Sequence, residues 1–120
     1  MRLTRVLPLV AAATIAAVSL GPVSSAQAAT ADCPSGYLCV WDQTSYNGKM
    51  YKFKDSNASW SGYAIENHDS SWYNHGTSGL NACVWQYSYY TGSVKVVASG
   101  TSSPQDAAHA HLGSSNNWGC

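Results

Sequence analysis

Four cysteines, Cys33, Cys39, Cys83 and Cys120, carry the most readable chemistry in this chain of 120 residues. Their redox state follows from what precedes them. Arg2 and Arg5 stand before a mostly apolar run over residues 6–20, and Ala26 and Ala28 hold the −3 and −1 positions of a cut before Ala29, the three parts of a secretory signal. Residues 1–28 are therefore expected to be removed, leaving residues 29–120 as one secreted, extracellular domain in an oxidising compartment. Four cysteines allow three pairings. The favoured one joins Cys33 to Cys39 across the turn-forming Pro34-Ser35-Gly36 and Cys83 to Cys120 at the C-terminus, each cross-link contributing roughly 2–5 kcal/mol to so small a domain. With the thiols bonded, no nucleophile-elbow pattern and no triad spacing is left among the Ser, His and acidic residues, so catalysis is not expected. His109 and His111 would share one face of an extended segment and begin a zinc site, but no third ligand accompanies them.

The elements that must position these residues come from an internal repeat. At an offset of 44, Cys39-Val40-Trp41 falls on Cys83-Val84-Trp85, Tyr46 on Tyr90, Gly48 on Gly92, and Ser70-Ser71 on Ser114-Ser115. Two units are too few for a solenoid and read as halves of one pseudo-symmetric domain, over about residues 37–76 and 81–120. Each opens with a short β-favouring run, residues 37–41 and 82–85. A second run follows at residues 49–54, with Tyr51 and Phe53 on one face and Lys52 on the other, and its counterpart is residues 94–97. Gly48 and Gly92 supply the turns between them. Residues 75–79 and 99–104 read as turn-rich separators, and residues 105–111 are the one short Ala-rich helix candidate. The fold class is all-β.

The repeated pattern of Trp41, Tyr46 and Gly48, then Trp85, Tyr90 and Gly92, each closed by a Ser pair, resembles the βγ-crystallin Greek-key motif. That resemblance implies a sandwich of two Greek-key motifs that exchange a strand, with an aromatic pair packed over each first hairpin. More narrowly, residues 33–53, with Cys33-Pro34-Ser35-Gly36-Tyr37-Leu38-Cys39 before Trp41 and Tyr46-Asn47-Gly48, resemble the actinobacterial secreted peptidase inhibitors whose founder is a metalloproteinase inhibitor of crystallin-like fold. The likeness implies an inhibitor that occupies a secreted peptidase's active site as a monomer. The founder's second small disulfide loop, which carries its reactive bond, is missing, because Cys83 and Cys120 lie 37 positions apart.

Crystallin-like domains also suggest calcium, a hard cation that wants six to eight oxygens. The first unit offers Glu66, Asn67, Asp69 and Ser70 as a weak site, whereas the second keeps Ser114 and Ser115 but no acid. No cofactor is otherwise required. Inhibition needs an extended loop held rigid before docking, and residues 56–62, 75–79 and 99–106 are the candidates, the last inside the interval closed by Cys83 and Cys120. The alternative is a calcium-dependent or cell-surface binding module, antimicrobial or toxin-like, using exposed rings such as Tyr87 and Tyr89. Asn57-Ala58-Ser59 fits a glycosylation acceptor. Formal net charge is zero and 10% of residues are charged, which excludes the basic footprint of a nucleic-acid binder. No membrane contact is expected once the signal is gone.

Overall fold

Side chains alternate between two apolar clusters in the computed structural model, which describes residues 29–120; the expected signal, residues 1–28, lies outside the described residues. Strand β1, Tyr37–Trp41, shows why. Its Leu38 and Val40 enter the main core, while Cys39 and Trp41 point the other way into a smaller cluster with Cys33 and Tyr46. Such a strand, buried on both faces, has to be central. Strands β2 (Met50–Phe53) and β3 (Ser71–His75) flank it antiparallel, with Val40 opposite Tyr51 on one side and Trp72 on the other. In the second unit β4 (Ala82–Tyr87) is flanked by β5 (Thr91–Val97) and β7 (Ser115–Trp118). Ala82, Val84 and Val97 meet Leu38, Val40, Trp60, Ile65 and Trp72 in the space between the two sheets. The class is all-β, as expected.

The halves are interlocked. Strand β6 (Ser102–Ser103), from the second unit, pairs with β3 and completes the sheet order β2-β1-β3-β6. In return Asn57 of the first unit bridges Asn116 of β7, each amide donating to the other's carbonyl at 2.8 and 3.0 Å. Three expectations are corrected here. The separator at residues 99–104 contains β6, because pairing on an existing edge makes two serines a strand without any periodicity of their own. Residues 105–111 form turns, not a helix. Strand β5 also begins at Thr91, earlier than residue 94, since Tyr87 pairs Thr91 across a register shift after Trp85.

The repeat survives as geometry at each first hairpin. Tyr46 and Tyr90 hold φ of 59° and 60°, and Gly48 and Gly92 hold 77° and 86°. A left-handed tyrosine costs roughly 1–2 kcal/mol. The second serine of each pair offsets it. Ser71 Oγ accepts from Tyr46 N–H at 3.1 Å and donates to the Gln43 carbonyl at 2.7 Å; Ser115 does the same for Tyr90 and Tyr87 at 3.2 and 2.7 Å. Trp41 meets Tyr46 edge-on with centroids 5.1 Å apart, the packing the resemblance implies. In the second unit Trp85 Nε1 instead donates to Asn117 Oδ1 at 2.8 Å.

Both disulfides form, Cys33–Cys39 and Cys83–Cys120, with Cα separations of 5.9 and 6.2 Å. Each closes within its own half of the chain.

Candidate functional site

A segment that blocks another protein's cleft has to leave its own backbone groups free, and the three candidate loops differ in this. Residues 56–62 are laid onto the second sheet through Asn57, and Trp60, fully buried, donates its amide to the Ser114 carbonyl and Nε1 to Asn116 Oδ1, both at 2.8 Å. Stacked on Phe53 at 4.9 Å, that indole is core. Residues 99–106 are held by β6, by Asn74 N–H on the Thr101 carbonyl, and by Ser45 N–H on the Pro104 carbonyl. Pairing to β3, and not the disulfide Cys83–Cys120, braces them.

The segment after His75 is built otherwise. Asn74, completely buried, faces away from the solvent side of β3 and grips both ends of the connection between the halves. Its Nδ2 donates to the carbonyls of Leu80 (3.0 Å) and Val97 (2.9 Å), and its Oδ1 accepts from Gly76 N–H (2.9 Å). The Cys33–Cys39 loop adds two ties, Gly36 N–H to the His75 carbonyl at 2.7 Å and the His75 ring Nδ1 to the Cys33 carbonyl at 2.8 Å. On the far side Gly119 N–H donates to the Asn81 carbonyl at 2.8 Å, next to Cys120. Gly76 has no room for a side chain, because a Cβ there would lie 2.8 Å from the Trp118 ring. Between these anchors Thr77, Ser78, Gly79 and Leu80 are exposed. Among the described residues no hydrogen bond falls on Thr77, Ser78 or Gly79.

The residues read for calcium are divided. Asp69 is fully buried, with Oδ1 accepting from Gly113 N–H at 2.8 Å and Oδ2 from Trp72 Nε1 at 3.0 Å. Burial pushes its carboxyl above the ordinary value, opposed by those two donors. Of the residues read as a weak calcium site, Asp69 therefore has both carboxylate oxygens engaged inside the sandwich. Glu66 offers its carbonyl to the ring of His68 at 2.7 Å. Asn67 Oδ1 accepts from Ser114 Oγ at 3.2 Å, and its repeat counterpart His111 places Nε2 3.0 Å from Ser70 Oγ. Each unit thus reaches across to the other's serine pair.

The zinc pair does not assemble either. A turn sends His109 to Asp106, 2.8 Å away, while His111 goes to Ser70. Asp106 also receives Lys95 Nζ at 2.8 Å, and that hydrogen bond, with the one from His109, lowers its carboxyl to about 2. The same ammonium lies 5.1 Å from the centre of the Trp72 ring, so this cluster pins the turn to the core. Among the described residues no three of His, Cys, Asp or Glu come together as a metal site. Tyr87 and Tyr89 are exposed, at 57% and 75%. Sequence reasoning missed Asn74, since a lone asparagine two residues after a tryptophan carries no pattern.

Comparison with known proteins sets this geometry in a wider frame. The profile of peptidase inhibitor family I36 matches residues 26–97. No curated protein matches the sequence. Among solved structures, a βγ-crystallin domain described in work on the evolution of the eye-lens fold superposes with a TM-score of 0.64 at 11% identity, over 72% of this chain and 88% of that one. A βγ-crystallin from Ciona intestinalis gives 0.60 at 13%, over 69% and 99%. A βγ-crystallin domain from Clostridium beijerinckii gives 0.57 at 16%, over 68% and 95%. These likenesses fix the fold as a βγ-crystallin sandwich.

Proposed function

The chain belongs to peptidase inhibitor family I36, and we propose that it works outside the cell by occupying the active-site cleft of a secreted peptidase, without chemistry of its own. The family match over residues 26–97 carries this reading. Physical features support it. Two disulfides stabilise a small sandwich, so that a surface loop meets its target with little ordering entropy left to lose. Both features also suit an oxidising, protease-rich exterior.

The test is inhibition of a panel of secreted metallo- and serine peptidases by the oxidised protein beginning at Ala29, with the reduced protein beside it. Tight inhibition that is lost on reduction is the expected result. A folded, oxidised protein that inhibits no member of the panel would transfer the function to a cell-surface binding role.

A further inference from the structure

We infer that the connection between the two halves, residues 76–80, is the inhibitory segment, and that it offers the Gly79–Leu80 bond to a peptidase selecting a bulky apolar residue on the leaving-group side. This rests on the inhibitory reading above and names its site.

Three observations converge on this segment. It is the one candidate loop whose exposed peptide groups are not already used by the fold, so Thr77, Ser78 and Gly79 keep donors and acceptors for the strand-like pairing by which a cleft takes up an extended chain. Its ends are nonetheless fixed by a single buried side chain, Asn74, which bridges Gly76 and Leu80. A groove of about 330 Å³ is lined by Thr77, Ser78 and Leu80 together with Lys54, Asp55 and Trp118, so the middle of the segment borders open space between its anchors. A loop free in the middle and clamped at both ends has lost its ordering entropy before it binds.

The clamp also selects the bond. Leu80 is the one large apolar side chain in the segment, 46% exposed. Its carbonyl is held by Asn74 Nδ2, so attack on the Leu80–Asn81 bond would disturb an anchor of the fold. The Gly79 carbonyl carries no such tie. Attack there puts Leu80 on the departing amine. Hydrolysis adds one water across the amide, giving a carboxylate on Gly79 and an ammonium on Leu80. The new ends stay beside each other through Asn74 and the shared core, which favours slow release.

The experiment uses the protein from Ala29, its Leu80→Asp variant and, as a control on the remote exposed ring, its Tyr89→Ser variant, against the peptidases of the panel. We expect Leu80→Asp to weaken inhibition by about tenfold or more and Tyr89→Ser by less than about twofold. Prolonged incubation of the unsubstituted protein with catalytic amounts of the inhibited peptidase should give a new N-terminus at Leu80. Inhibition by the unsubstituted protein that Leu80→Asp leaves intact, or a first cut elsewhere, overturns the assignment of the segment while keeping the inhibitory function. No inhibition by the unsubstituted protein overturns both. Should Leu80→Asp fail to fold, the cleavage site in the unsubstituted protein decides.

Discussion

Asp69 shows how one side chain changes meaning between sequence and structure. Its position before a serine pair reads as a cation ligand, yet it satisfies Gly113 N–H and Trp72 Nε1 inside the sandwich. Removing it in Asp69→Ala strands two buried donors, each worth about 1–3 kcal/mol, so urea unfolding should register a loss of about 2–5 kcal/mol. The sign of its pH dependence follows from burial. Its folded value lies above the ordinary 3.8, so the stability it contributes is complete below that value and declines as pH rises through the folded one. The cost of Asp69→Ala should therefore be larger at pH 3 than at pH 7, and a cost that grows with pH would reject the assignment. The aromatic and glycine positions of the repeat were legible because their types are demanded by the turn. Asp69 and Asn74 were not, because burial of a polar side chain depends on what another segment brings to it.

Among the elements, the first hairpins repeat each other down to single hydrogen bonds, which allows a comparison inside one molecule. Ser71→Ala and Ser115→Ala each leave a tyrosine N–H and a carbonyl without their bridging hydroxyl. The two should not cost the same. Tyr46 is 7% exposed and packed against Trp41, whereas Tyr90 is half-buried, so water replaces the lost hydroxyl more readily in the second unit. We expect a loss of about 2–4 kcal/mol for Ser71→Ala and about 1–2 kcal/mol for Ser115→Ala in thermal or urea unfolding; equal losses would show that burial does not set the difference. The strands of these hairpins were readable from alternation and turn glycines. The exchanged pieces, Asn57 and Ser102–Ser103, were not, since one or two residues carry no period and become strands only against a partner edge.

For the whole molecule, the disulfides divide the stabilising work unequally. Cys83–Cys120 closes 37 positions and Cys33–Cys39 six, and loop-closure entropy makes the longer link worth about 1.5 kcal/mol more in the unfolded chain. Replacing each pair by serine should show that order in urea midpoints, and the reverse order would mean that the short loop's ties to His75 outweigh chain entropy. Neither disulfide crosses residues 76–80. Residues 76–80 are therefore the covalent link between the described halves, which are otherwise held by an exchange of strands and a shared core. A chain cut there is a split protein, with halves that meet only through shared sheets and core. Such halves, made separately, would be complementing fragments, and two intact chains whose connection opened could trade them to give an intertwined dimer with every native contact preserved.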